Sequence, residues 1–521
     1  MREFHAPKTI ALLTLAFGLF IQSGRADDKQ GTQEKSSVQL EPTIETTPDT
    51  NSEPQNSEHR ITNHEAKIGG QTIAYQATAG SLPLVNDDGK TTANVFFIAY
   101  VAKPSKGHSK RPITFCFNGG PGSSSVWLHL GMLGPKRVKL HDNAKPEPVP
   151  GKLVENPHSL LDVTDLVFID PVSTGYSRPE DGEKKSQFHG YNEDLNSVGQ
   201  FIHDYTTQYN RWQSPKYLCG ESYGTLRAAG LADQLRSRYY LELNGIVLIS
   251  SVLDFQTIRF GENNDLPYIA FLPSYAATAW YHKQLADRYQ SQPLTKFLRE
   301  VEEFTVHDYA TALLKGSDLT NKERREIAEQ IAAYTGLSRR YVLQSNLRIR
   351  MSRFAKELLI REDQTVGRLD SRYKGADRDS AGDSYSYDPS SAALSGAYTS
   401  AMYHYLRTEL NVSKTEPYEI LSRKVHPWSY QSFENRYVTS TESLRSAMTE
   451  NPFLKVFVAS GYYDLATPYY GTIHTFRHLS LRASQEEHIT MKYYRAGHMM
   501  YVSEPILESL KTDLVEFYNK E

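Results

Sequence analysis

From Ile61 to Val101 apolar and polar positions alternate, as in Gln71-Thr72-Ile73-Ala74-Tyr75 and in Ala93-Asn94-Val95-Phe96-Phe97-Ile98-Ala99-Tyr100, with the turn-forming run Asn86-Asp87-Asp88-Gly89 between them. A two-residue period of this kind predicts antiparallel strands, here at the edge of a larger sheet. Solid apolar runs follow: Ile113 to Phe117, Leu166 to Ile169, Tyr217 to Cys219 and Ile246 to Ile249. Among them lie stretches of helical period, one carrying Leu195, Val198, Phe201, Ile202 and Tyr205 and another Ala228, Leu231, Ala232 and Leu235. Alternation of buried strands with helices predicts a mostly parallel sheet covered on both faces. From about 255 to 450 the pattern is largely helical. Thr320-Asn321-Lys322-Glu323 is a capping box opening a helix with Ile327 and Ile331 that ends near Gly336. Strand character returns in Val456-Phe457-Val458-Ala459 and in Ile489 to Tyr494, and a last helix aligns Ile506, Leu510, Leu514 and Phe517. The fold class expected is α/β, with one hydrolase-type domain in two parts (60–254 and 451–521) and a helical lid inserted at 255–450.

With 521 residues the chain can bury a large core, and a net charge of -3 with 23% charged residues leaves no polybasic face for nucleic acid. At the N-terminus, Arg2 and Lys8 precede an apolar run from Ile10 to Ile21 and the small-residue pattern Gly24-Arg25-Ala26. That order predicts a signal peptide, 1–26, and export to a periplasmic or extracellular space. Its apolar run is too short for a membrane span, and no later segment reaches that length. Residues 27–59, rich in Gln, Glu, Ser, Thr and Pro, read as a disordered linker. Cys116 and Cys219 are the two cysteines; they fall on strands expected to be neighbours, where buried thiols fit better than a disulfide.

The chemistry centres on Gly220-Glu221-Ser222-Tyr223-Gly224, placed between a strand and a helix. This is the arrangement of a nucleophile elbow, in which a sharp turn exposes a serine hydroxyl. A serine needs a histidine to take its proton and a carboxylate to orient the histidine. Strand Val456 to Ser460 leads into Asp464, and strand Met491 to Tyr494 leads into His498. Singly, each would more often be a surface or structural residue. The order Ser222, Asp464, His498, each after a short apolar strand, is that of α/β-hydrolases. Asn118-Gly119-Gly120-Pro121-Gly122-Ser123-Ser124-Ser125 follows strand Ile113 to Phe117, where that fold carries its oxyanion loop. The run lacks the Lys-Ser/Thr ending of a phosphate-binding loop.

These runs, together with Asp170-Pro171-Val172-Ser173-Thr174-Gly175-Tyr176-Ser177, the Gly-Tyr-Tyr-Asp-Leu-Ala-Thr-Pro stretch around Asp464 and Gly497-His498-Met499, resemble the serine carboxypeptidase family, in a bacterial-type member, from about 90 to 515. The resemblance implies an exported hydrolase that removes C-terminal residues from peptides without a cofactor, through an acyl-enzyme on Ser222. It implies backbone N–H groups of Gly120 and Tyr223 as the oxyanion hole. Asn118, Gly119 and Glu221 would bind the substrate carboxylate, and Met499 would line the leaving-residue pocket. Glu221 must then donate a hydrogen bond, since two bare carboxylates repel and neither can donate. Where the family has a second glutamate the chain has Met132, which leaves Glu221 and Asn118 to bind with less help. An esterase, acyltransferase or aminopeptidase would use the same scaffold, and a noncatalytic binding protein is the reading from another class. The run Asp377-Arg378-Asp379-Ser380-Ala381-Gly382, with Asp383 and Asp388, partly imitates a calcium loop, but Ala381 at a ligand position favours a solvated acidic loop.

Overall fold

The computed structural model of the chain describes residues 59–103, 110–142, 144–146 and 149–520. The expected signal peptide, and all of the linker except His59, lie outside the described residues. β1 (Arg60–Ile68), β2 (Gln71–Val85) and β3 (Thr91–Ala102) form an antiparallel edge, as their alternation predicts. β4 (Ile113–Phe117), β5 (Asp165–Ile169), β6 (Lys216–Glu221), β7 (Gly245–Ile249), β8 (Lys455–Gly461) and β9 (Ile489–Tyr494) continue the main sheet, and a short tenth strand, Arg178–Pro179, pairs with β3. The spatial order is β1-β2-β3-β5-β4-β6-β7-β8-β9, with every neighbouring pair from β5 to β9 parallel. β4 through β7 are buried at every position, which explains why those segments read as solid apolar runs rather than alternating ones.

Two cores flank the sheet. Helices α1 (Tyr191–Gln208) and α2 (Tyr223–Tyr239) place Phe201, Leu226 and Leu231 on one face. The inserted region supplies α3 (Leu266–Tyr281), α4 (Leu294–Phe304), α5 (Asn321–Thr335), α6 (Pro389–Thr408) and α7 (Thr441–Glu450). After it come α8 (Tyr469–Arg477) and α9 (Glu504–Asn519), and α9 joins α6 on the opposite face through Leu510, Leu514, Tyr398 and Met402. Helix α7 returns to the first face through Leu444 and Met448. A third core belongs to the lid. It joins Phe271, Phe297, Val301 and Ile331 to Tyr463, Leu465, Tyr469 and Tyr470, residues of the loop and helix that follow β8.

Local signals act as expected. Thr320 and Glu323 close the capping box of α5, with Glu323 N–H donating to Thr320 Oγ1 at 3.2 Å and Thr320 N–H to Glu323 Oε2 at 2.8 Å. Gly336 ends that helix in the left-handed region, at φ 70°. The acidic run spends its carboxylates on protein partners: Asp377 takes Lys356 Nζ at 2.7 Å, Asp383 takes Arg353 at 2.6 Å, and Asp388 caps α6. Cys116 and Cys219 are register partners on β4 and β6, both buried as free thiols. They occupy the neighbouring strands that the sequence predicts.

Candidate active site

Every candidate residue lies at or just past the carboxyl end of a strand, the edge where open α/β sheets bind their ligands. The loop Asn118 to Ser125 follows β4, Ser222 follows β6, Asp464 follows β8 and His498 follows β9. At Ser222 the chain turns from strand to helix with φ 60° and ψ -128°, a conformation that costs a non-glycine residue on the order of 1–3 kcal/mol. The turn is held by Ser222 N–H to Ile249 O at 3.0 Å and Thr225 N–H to Ser222 O at 2.8 Å. Glycine at 220 is required because a Cβ there would lie 2.2 Å from Gly224 O.

Asp464 is fully buried behind His498. Its Oδ2 lies 2.7 Å from His498 Nδ1, and its oxygens also accept from Ala466 N–H at 2.7 Å, Thr467 N–H at 2.9 Å and Thr467 Oγ1 at 2.7 Å. That many donors hold the carboxylate in one position, where its contact to Nδ1 orients the ring and leaves Nε2 free to face Ser222. The ring is anchored from behind as well, through His498 N–H to Leu369 O at 2.6 Å and Ser250 Oγ to His498 O at 2.6 Å. Burial works against the imidazolium, yet Asp464 outweighs it, helped by Glu221, and the His498 pKa is displaced upward.

The loop Asn118 to Ser125 packs directly on the turn at Ser222. A Cβ at Gly119 would lie 2.4 Å from Tyr223 N and 2.7 Å from Glu221 O, so only glycine lets the two backbones meet. Two buried groups hold the loop in place. Asp170 Oδ1 accepts Ser125 N–H at 2.9 Å and the Tyr418 hydroxyl at 3.2 Å. Arg227, 1% exposed, donates to Asn118 O at 2.7 Å and pairs with Asp194 at 2.7 and 3.1 Å.

Asn118 Oδ1 accepts Leu128 N–H at 3.1 Å, which aims its amide nitrogen toward Glu221. Burial of Glu221 pushes its carboxyl up to about 7, against the opposing pull of His498, Tyr501 and Asn118. The Tyr501 hydroxyl donates to Glu221 Oε2 at 2.6 Å. This partner is absent from the sequence reading, which left Glu221 and Asn118 to bind with less help. Met132 is buried in a short π-type turn, His129–Leu133, and its carbonyl accepts Asn156 Nδ2 at 2.9 Å. Beside it Gly131 makes room for the Tyr501 ring and the Tyr398 hydroxyl, which would lie 2.3 and 2.7 Å from a Cβ there. The Tyr398 hydroxyl has no hydrogen-bond partner among the described residues.

Two hollows meet at Ser222. One, of about 770 Å³, is lined by Asn118, Gly119, Gly120, Glu221, His498 and Met499, among others. Trp127, Leu394 and Ile420 form part of its apolar wall. The other, of about 670 Å³, opens on the Tyr223 side and is lined by Phe255, Phe271, Trp428, Tyr430 and Leu465. All nine candidate residues therefore fall in one cleft or, for Asp464, directly behind it.

The serine carboxypeptidase family matches residues 71–507. Among curated proteins, the pheromone-processing carboxypeptidase KEX1 of Saccharomyces cerevisiae is 34% identical over 140 residues, covering 26% of this chain and 18% of that protein. A carboxypeptidase Y homolog of Arthroderma benhamiae is 30% identical over 146 residues, 27% of each chain. The chain thus aligns with less than a third of the length of either relative. The crystal structure of the Saccharomyces cerevisiae prohormone-processing carboxypeptidase is similar over 85% of this chain and 91% of its own, with a TM-score of 0.55 and 18% identity. That likeness is one of fold, the α/β-hydrolase fold.

Proposed function

The chain belongs to the serine carboxypeptidase family, and from that premise we propose that it removes single residues from the C-terminus of peptides by acyl transfer to Ser222. In this reading Ser222 Oγ attacks the carbonyl of the last peptide bond as His498 Nε2 takes its proton. The Gly120 and Tyr223 N–H groups receive the oxygen that becomes negative. His498 then gives the proton to the departing amino group, the C–N bond breaks, and the acyl group stays on Ser222. Water, deprotonated by the same ring, releases the shortened peptide. Asp464 holds the tautomer throughout.

The observation that carries the exopeptidase reading is the polar wall beside the nucleophile, where Asn118, Glu221 and Tyr501 form a hydrogen-bonded set in the hollow that also holds Met499. A protonated Glu221 and the Asn118 amide offer donors to a free carboxylate, as an enzyme that reads a chain end requires. Export rests on the N-terminal sequence pattern. Incubating the protein with one unblocked peptide and following products by mass spectrometry tests the reading. Stepwise loss from the C-terminus is expected; loss from the N-terminus, or turnover of esters but no peptide, would refute it.

A further inference from the structure

The hollow on the Tyr223 side differs in character from the one that holds Glu221. Its floor is apolar and aromatic, with Phe255, Phe271 and Leu465 buried and Phe260, Trp428 and Tyr430 half-buried. Its rim is cationic. Arg259, Arg350 and Arg368 all line it, all are exposed, and no Asp or Glu lines it with them. Among the described residues none of the three guanidinium groups has an ion pair or a side-chain hydrogen bond; Arg259 only lies over the Phe255 ring, at 5.3 Å. Carboxylates nearby are already engaged: Asp265 with Arg348 at 2.6 Å, and Asp383 with Arg353 at 2.6 Å. In the adjoining recess Arg348 and Arg353 are already paired and Glu262 stands against Arg350, so the excess of positive charge belongs to the rim of this hollow and not to the recess beyond it. On the leaving-residue side the balance is nearer even, because Asp388 faces Arg368 and Arg423 there.

Unpaired cations around an apolar cleft attract anions and repel cations, and low-dielectric walls strengthen both effects. Resting on the carboxypeptidase reading of the same site, we propose that the substrates are acidic peptides. An apolar or aromatic residue just before the scissile bond sits on the aromatic floor, and Asp or Glu side chains one to three residues further upstream meet Arg259, Arg350 and Arg368. The rim contributes substrate attraction and binding, while the chemistry at Ser222 is unchanged.

The test uses N-terminally blocked peptides with one C-terminal residue and one penultimate Phe, differing only in whether the three upstream positions carry Glu, Ser or Lys. For each, kcat/KM is measured at low and at about 0.5 M salt, in the wild type and in the double variant Arg259→Gln/Arg350→Gln. The expected preference for Glu over Lys peptides is about tenfold or more at low salt, from several weak exposed pairs acting with opposite sign on the two peptides. Salt should reduce it to within about threefold of unity, as should the double variant. An equal or inverted ratio overturns the proposal, and so does a preference that survives both salt and substitution. Should no peptide of any charge be shortened from its C-terminus, the carboxypeptidase reading itself fails. If the Ser peptide is shortened and the charge series is flat, only the acidic-substrate inference is lost.

Discussion

Removing the hydroxyl of Tyr501 should move the pH range of peptide cleavage upward without touching Ser222. The Tyr501 hydroxyl is 2.6 Å from Glu221 Oε2, a contact that favours the ionised carboxylate. Burial is the larger influence and places the Glu221 pKa at about 7. If a free peptide carboxylate binds only to protonated Glu221, cleavage of free-acid peptides falls as pH rises through that value. A hydrogen bond to a charged group contributes about 1.5–3 kcal/mol. At about 1.4 kcal/mol per pH unit, Tyr501→Phe should shift the alkaline limb up by about one to two pH units. The sign follows from the charge form each partner stabilises. Tyr501 supports the ionised form, so its loss keeps the proton on Glu221 to higher pH. Glu221→Gln keeps a neutral donor and should flatten the limb. The assay is kcat/KM against pH for a blocked dipeptide, divided by the same quantity for its C-terminal amide, so that the titration of His498 cancels. A ratio that does not change with pH in the wild type would show that Glu221 does not read the carboxylate. A limb that stays put or moves to lower pH in Tyr501→Phe would refute the role given to Tyr501.

Other outcomes follow from the same geometry. Ser222→Ala should lose several orders of magnitude in turnover and all labelling by a fluorophosphonate, His498→Ala should be nearly as damaging, and Asp464→Asn should leave more residual activity; peptide mapping of the label checks the nucleophile. Gly119→Ala, with its Cβ 2.4 Å from Tyr223 N, should lower kcat by about 10²–10³ through displacement of the oxyanion donors, measured at saturating substrate. Arg227→Met strips the buried Asp194 of its partner and should cost about 3–5 kcal/mol, read from the denaturant midpoint. Cys116 and Cys219 should resist thiol reagents in the native protein, and reduction should add no two-hydrogen mass shift after denaturation.

The strands, and the placing of Ser222, Asp464 and His498 after strands, were legible because each depends on a local pattern. Solid apolar runs mark β4 to β7, and a glycine at 220 is dictated by a backbone contact four residues away. Arg227 was not legible. It lies in a helix whose Ala228, Leu231 and Leu235 carry the visible period, and an arginine beside them reads as solvent-facing until Asp194, 33 residues earlier, comes into contact. Tyr501 was hidden for a different reason. It is one tyrosine among 34, three residues past His498, and only the fold brings it to Glu221 across 280 positions. Met132 drew attention as a missing carboxyl, whereas the side chain that meets Glu221 comes from a distant segment and uses the space left by Gly131.

The lid core has a bearing on how this protein could be re-engineered. Tyr463 and Leu465 flank Asp464 directly, and both are packed into the same apolar cluster as Phe271, Phe297 and Ile331 of the inserted helices. The insertion is thus bolted to the residue that orients His498, and it is not an interchangeable cap. A graft that replaced the inserted helices with those of another hydrolase would strand two large apolar side chains on either side of Asp464, in water. Transplanting specificity onto this scaffold should therefore begin with the cleft rim and leave the aromatic seam around Tyr463, Leu465 and Tyr469 intact.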